Sequence, residues 1–278
     1  MSERSGAIDA RAARRRFERA AAGYEGAARL ETEVAARLSE RLDLVKIAPQ
    51  RIVDAGSGPG RDAHALAKRF PGKAVIALDY AQPMLPRAGF LDRLLGRGVL
   101  SVAADMERLP LEAESVDLVW SNMALHWVND PLAAFRELSR VLAPDGLVMF
   151  STLGPDTLKE LRAAGGDSRV HAFTDMHDLG DLLVASGLTS PVMEMEMLTI
   201  DYRSGTRLLD DLRASGQTNA RADRPRGLAG RRFGEHLRAA LEATPRITYE
   251  VVYGHAWKPA PARPAPAVKT VHVFKRIP

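Results

Sequence analysis

The 278-residue chain contains no cysteine, which removes disulfides, thiolate metal sites and thiol nucleophiles at once. Aromatic residues make up only 6% of it. No basic stretch is interleaved with them in the way that stacks unpaired bases, so nucleic acid is not an expected partner. Uninterrupted apolar runs of about 18 residues are missing, and no apolar segment follows the charged N-terminus, so neither a membrane span nor a secretory signal is expected. A cytoplasmic location fits these absences. The seven histidines are scattered without the close spacing of a zinc site, and no metal is expected.

What is present is enough apolar side chain, 46%, to bury a substantial core in one large domain or a domain with a cap. The net charge of +4 comes from an arginine-rich excess that favours acidic partners. The most telling stretch is Arg51-Ile52-Val53-Asp54-Ala55-Gly56-Ser57-Gly58-Pro59-Gly60, a short apolar strand running into glycines at alternate positions. Arg61-Asp62 and the apolar Ala63, Leu66 and Ala67 then open a helix. Glycine lets backbone turn sharply and lie flush against a ligand. A dinucleotide fingerprint would require a third glycine at position 61, where this chain has Arg61. The G-x-G-x-G spacing behind an acid instead resembles the first motif of class I S-adenosylmethionine-dependent methyltransferases, whose loop cradles the amino acid end of the cofactor. Asp54, Gly56, Gly58 and Gly60 are expected there.

Strand and helix signals alternate downstream: strand 51–55, helix 61–69, strand 74–79, helix 82–91, strands 98–104 and 116–121, helix 131–143 and strand 146–152. Such alternation predicts an α/β fold, a parallel sheet with helices on both faces. Helical spacing also runs from Ile8 to Val45 with a break at Gly23–Gly26. Beyond Ser151 the pattern loosens into helices near 156–164 and 174–186, a strand over 192–200, a helical segment over 203–246 and a last strand over 247–257. The domain reading is a helical lid over 1–45, a Rossmann-like core over 46–202, a cap insertion over 203–246, a final core strand over 247–258 and a proline-rich tail over 259–278. That tail is expected to be extended or disordered, although Val271–Phe274 could pair with a strand.

Asp79 closes the strand Ala74–Asp79 about 20 residues after the glycine turn, where a carboxylate can accept both hydrogens of a ribose diol. Capping of the next helix is the plainer role for it. Tyr80 follows at the same sheet edge. Asp105 and Met106 end the next strand and suit an adenine ring, the acid accepting from its amine and the thioether packing on its face. Asn122 ends the strand after that and would face the methyl donor, with His126 and Trp127 on the loop above. A histidine beside a tryptophan is as often packing as chemistry.

Together DAGSGPG, ALDYAQPML, ADMERLP and SNMALHW match the ordered motifs of class I methyltransferases. The resemblance narrows with RRRFERAAAGYEGAARLETEVAARL, FSTLGPDTLKELR, LLDDLRASGQTNAR and TYEVVYGHAW, which are similar to the malonyl-acyl-carrier-protein O-methyltransferases of biotin synthesis from about Arg14 to Trp257. Ser57 departs from that family, where cysteine is common, and His126 stands where glutamine is frequent, which argues against an essential base at 126. The resemblance implies that S-adenosylmethionine methylates the free carboxylate of a malonyl thioester on acyl carrier protein or coenzyme A. It also implies Tyr24 as a lid residue over cofactor and substrate. Arg213, in the cap segment with its ten arginines, is the expected anchor for substrate oxygens. Three alternatives stay open: a relative of the complex I assembly factors associated with arginine hydroxylation, which share LHWVND and GPDTLKELR; a small-molecule methyltransferase; and a noncatalytic carrier- or RNA-binding module.

Overall fold

A computed structural model of the chain describes residues 7–86, 98–224, 227 and 230–261. Three helices come first: α1 (Ala10–Ala20), α2 (Tyr24–Ala27) and α3 (Arg29–Asp43). The break between α1 and α2 covers 21–23, and Gly26, expected in it, lies inside α2. Asp9 caps α1 by accepting from the Ala12 N–H at 2.9 Å.

The sheet is built from β1 (Arg51–Ala55), β2 (Ala74–Asp79), β3 (Val99–Ala103), β4 (Val116–Ser121), β5 (Leu142–Leu153), β6 (Thr189–Asp201) and β7 (Arg246–Trp257). Between them run α4 (Arg61–Arg69), α5 (Pro131–Val141), α6 (Lys159–Gly165), α7 (Met176–Ala185), α8 (Gly205–Ala214) and α9 (Arg231–Ala243). The strand order is β3-β2-β1-β4-β5-β7-β6. The parallel sheet expected over 51–152 is present in β1 to β5, and β7 runs antiparallel to both β5 and β6. Asp201 at the end of β6 pairs with Arg246 at the start of β7, so the two strands form a hairpin whose long tip holds α8 and α9. β6 points the same way as β1, β2 and β4, so this tip emerges at the edge where those strands end.

Alternating residues sort cleanly to the two faces. Ile52, Leu118, Trp120, Leu147 and Met149 pack with Val34, Leu38 and Leu42 of α3 and Leu66 of α4. Val53, Val119, Val148 and Phe150 pack instead with Phe135 and Leu138 of α5 and with Leu179 and Leu183 of α7.

Several boundaries differ from the sequence reading, each for a local reason. In the described part of the helix expected over 82–91, Gln82–Met84 form a 3-10 turn that ends because Leu85 precedes Pro86 and takes an extended conformation at φ −61°, ψ 141°. Residues 87–91 of that expected helix, Arg226 and the Val271–Phe274 segment lie outside the described residues. Helix α5 stops at Val141, two residues short of the expected end, since Ala143 precedes Pro144. β5 starts directly at Leu142 and bulges where its pairing with β4 shifts between Val116 and Leu118. Helix α6 starts only at Lys159, because Asp156 N–H is held by Glu250 Oε2 at 2.7 Å and Leu158 N–H by Thr248 O at 2.8 Å.

Candidate active site

Strand order reverses between β1 and β4, and in an open α/β sheet the crevice at such a switch point receives the ligand. A cleft of about 940 Å³, counting its open mouth, lies there. Its floor contains Gly56, Gly58, Asp79, Tyr80, Asp105, Met106 and Asn122. Seven of the nine expected cofactor residues therefore meet in one place.

The turn after β1 is pinned from below. Gly56 and Ser57 donate their N–H groups to Leu78 O at 2.7 and 2.9 Å. Gly56 sits at φ 80°, and a Cβ there would overlap the Cβ of Ala124, so loop and β4–α5 connection approach as only glycine permits. Asp79 is buried at the end of β2, where Oδ2 accepts from Gly58 N–H at 2.9 Å and Oδ1 from Ala81 N–H at 2.7 Å. Each oxygen keeps a second lone pair for a diol. Asp79 does not cap the 3-10 turn that follows, whose N-cap is Ala81 without a side-chain cap bond; it braces the chain leading into it. Burial raises its pKa, against the two backbone bonds.

Tyr80 lines the cleft, and its hydroxyl is buried with no hydrogen-bond partner among the described residues. Asp105 lies exposed on the rim, one oxygen accepting from Glu107 N–H at 3.0 Å, and Met106 is buried behind it. Asn122 donates to Glu31 O at 3.0 Å and accepts from the Ser151 hydroxyl at 2.7 Å, which fixes its amide.

Two expected residues lie outside the cleft lining. Asp54 is buried beneath the turn, with Oδ2 unpartnered among the described residues; burial first, then the neighbouring Asp62, pushes its carboxyl well above the usual range. Asp62 accepts from Trp120 Nε1 at 3.0 Å. Gly60 is the left-handed residue that opens α4, and a Cβ on it would come within 2.6 Å of Pro86 Cγ. Both shape the turn from behind.

The roof comes from distant sequence. Phe17 and Tyr24 reach the cleft from the N-terminal helices, Trp127 and Asn129 from the β4–α5 connection, and Gln217 from the segment after α8. Trp127 stands between Phe17 and His171, edge to face at 4.9 and 4.8 Å. Buried Glu31 joins these pieces: its carboxylate accepts from Gln217 Nε2 and lies 3.5 Å from the Tyr24 hydroxyl. Burial raises the Glu31 pKa, and burial together with the Glu31 and Asp79 charges raises that of Tyr24 well above 10. Two hydrogen bonds tie the roof together: Asp9 N–H donates to Ala220 O at 2.7 Å, and the Arg16 guanidinium donates to Thr218 O at 2.8 Å.

Arg213 is not in the cleft. It borders an adjoining chamber, is 61% exposed and pairs with Asp210 at 3.0 Å. Sequence reasoning missed Glu31 and Gln217. Gln217 lies within the quoted LLDDLRASGQTNAR stretch, which was a usable signal, whereas Glu31 is one acid among several on a helix.

The glycine turn, the strand-end carboxylate with free lone pairs, the partnerless Tyr80 hydroxyl and the Met106 wall all fit S-adenosylmethionine. Fold and cleft together define an S-adenosylmethionine-dependent class I methyltransferase. A methyltransferase domain family matches residues 53–150. The YcgJ protein of Bacillus subtilis shares the fold, with a TM-score of 0.58 at 19% identity over 81% of this chain and 98% of that one. Malonyl-[acyl-carrier protein] O-methyltransferases are far closer in sequence: that of Methylovorus sp. is 49% identical, covering 91% of this chain and 90% of the relative. The one from Gallionella capsiferriformans is 50% identical, covering 91% and 92%. The chain belongs to the malonyl-[acyl-carrier protein] O-methyltransferase family. Among the described residues no helix is long and apolar enough to cross a membrane.

Proposed function

We propose that this chain methylates the free carboxylate of a malonyl group carried as a thioester on acyl carrier protein, the step that begins biotin synthesis in the family it resembles. The observation that carries the reading is a cleft with a cofactor-type floor, Gly56, Gly58 and Asp79, under a roof in which Glu31 brings Tyr24 and Gln217 together. When bound, S-adenosylmethionine supplies a methyl group on a sulfonium sulfur, which keeps the bonding electron pair as the carboxylate oxygen takes the methyl.

A malonyl carboxylate is ionised near pH 7 and needs no general base. The surroundings agree with that requirement. Burial holds the nearby His126 at about 3, and Tyr24 stays protonated because its pKa is raised. Tyr24 therefore acts as a hydrogen-bond donor and lid, and Gln217 and Asn122 offer further fixed dipoles beside it. Catalysis is then a matter of aligning two reactants in a dry cleft. Asp79, Gly56 and Gly58 hold the cofactor with Tyr80, Asp105 and Met106, while Asp54 and Gly60 support the turn. Residues 1–45 form the lid and 203–246 the cap. Arg213 meets the thioester side of the substrate from the adjoining chamber rather than the reacting carboxylate. Exposed arginines of α1, among them Arg11, Arg15 and Arg19, suit an acidic carrier protein. The carrier is a protein in the cytoplasm, and nucleic acid has no part in the reaction.

Mass spectrometry of malonyl-acyl carrier protein incubated with the chain and S-adenosylmethionine tests this. The expected product carries one added methyl, and alkaline release of the acyl group yields monomethyl malonate in place of malonate. An unmodified malonyl group, with transfer to some other acceptor, would overturn the reading.

A further inference from the structure

Trp127 and Gln217 border two spaces at once, the cleft on one side and a second chamber on the other. The chamber holds about 700 Å³ of free space, counting its mouth. Leu158 and Leu161 beside and within α6, Val170, Phe173, and Leu209 and Leu212 of α8 give it an apolar wall. Gln217, Thr218, Asn219 and Tyr249 add uncharged polar groups, and two histidines complete them. His171 accepts from the Ala220 N–H through Nε2 at 2.8 Å, so its ring proton is on Nδ1. His126 has an Nδ1 that is closed to solvent and has no partner among the described residues. Burial takes His126 down to about 3, and burial with the Arg16 and Arg221 charges takes His171 down to about 4. Both rings are neutral at pH 7. Among the described residues, the only cation on the wall is Arg213, which is mostly exposed and already paired with Asp210.

A carboxylate moved into such a chamber would lose its hydration with little in return, whereas an uncharged acyl chain would not. A malonyl thioester has one end of each kind. Its carboxylate is charged, and its thioester and the arm behind it are neutral near the acyl group. Resting on the function proposed above, we propose that the second chamber receives the neutral thioester end of the acceptor and the first part of its carrier arm, leaving the carboxylate at the Trp127–Gln217 junction facing the cleft. His126, as the Nε2–H tautomer, donates to the thioester carbonyl oxygen through the ring nitrogen that is not closed off. The chamber is thereby a specificity element: it admits a mono-charged acyl thioester and rejects a free dicarboxylate, which would have to place its second charge among Leu161, Phe173 and Leu209.

The test compares turnover of malonyl-pantetheine with that of free malonate, in the full chain and in L161W and L209W, which fill the chamber from two different helices. The expected wild-type kcat/KM favours malonyl-pantetheine by at least about a hundredfold, and each tryptophan variant raises its KM at least about tenfold while calorimetry shows S-adenosylmethionine affinity within about twofold of wild type. A variant that binds the cofactor normally and keeps the wild-type KM overturns the chamber assignment, as does equal turnover of free malonate. If both tryptophan variants lose cofactor binding, the pair H126L and H126Q decides: leucine should raise the KM about tenfold and glutamine, which still donates, should restore most of it. Equal KM values in the two would overturn the role of His126. Should the wild type transfer no methyl to any malonyl thioester, the function reading fails by itself. Calorimetric binding of uncharged acetyl-pantetheine, with adenosylhomocysteine present, then judges the chamber: saturable binding lost in H126L supports it, and no binding overturns it.

Discussion

The floor and the roof of the cleft are made in different ways. The floor is local and anchored to strand ends: Gly56, Gly58 and Asp79 are fixed by main-chain bonds to one another and to Leu78. The roof is assembled from segments far apart in the chain, with Gln217 meeting Glu31 across 186 positions, Arg16 meeting Thr218 across 202 and Arg224 meeting Asp9 across 215. A floor of this kind can keep one cofactor while the roof is retuned for the acceptor. The two should therefore fail separately, cofactor affinity with the floor and acceptor turnover with the roof.

The largest effect is expected on the floor. Gly56→Val adds a side chain where a Cβ already overlaps Ala124, at a φ of 80°. Calorimetry should show cofactor affinity falling by more than about a hundredfold, or about 3 kcal/mol, with the circular dichroism of the fold kept. On the roof, Glu31→Leu leaves the Gln217 amide and the Tyr24 hydroxyl without their shared acceptor, at a cost of about 1–3 kcal/mol for each buried group. Malonyl-carrier turnover should drop about tenfold or more with cofactor affinity nearly unchanged, and Glu31→Gln should recover part of it. Equal loss of both quantities in Glu31→Leu would erase the division between floor and roof.

Smaller effects follow from charge. His126 and His171 titrate at about 3 and 4 in the folded chain, below the ordinary value near 6.5. Between those values the unfolded chain binds more protons, so their contribution to stability is complete above about pH 6.5 and is lost as the pH falls toward 4 and then 3. The raised Asp54 carboxyl acts in the opposite direction, favouring the fold as acid protonates it, and it is common to wild type and variant. His126→Gln should therefore lose less stability than wild type in urea titrations taken from pH 6.5 to 4, by on the order of a few kcal/mol. The smallest effect concerns the outer surface: between about 0.05 and 0.5 M salt the KM for malonyl-carrier should rise severalfold while cofactor affinity moves little. A flat response would remove electrostatic docking by the α1 arginines.

This contrast also explains how much could be read from the sequence. Gly56, Gly58, Asp79, Asp105, Met106 and Asn122 were legible because each stands at the end of a predicted strand, and strand ends at a switch point converge on one ligand. Asp54 and Gly60 belong to the same motif but act behind the turn, a distinction that depends on which way a side chain points at its strand end. Arg213 was chosen from a segment rich in arginine, yet its helix turns it to the chamber rim and to Asp210. Glu31 could not be found by pattern, since its importance comes from contacts made only when α3, the Gln217 segment and α2 meet. The cap between the last two strands is legible in the sequence, but the direction of β7 is not, and only the pairing of Asp201 with Arg246 shows that the two strands form an antiparallel hairpin around it.

The floor's grip on the cofactor is measured most directly by titrating S-adenosylmethionine into the Asp79→Ala variant in a calorimeter beside the wild-type chain. No saturable heat is expected from the variant at cofactor concentrations that saturate the wild type, with thermal unfolding still cooperative. An affinity equal to that of the wild type would contradict the assignment of this cleft as the cofactor site.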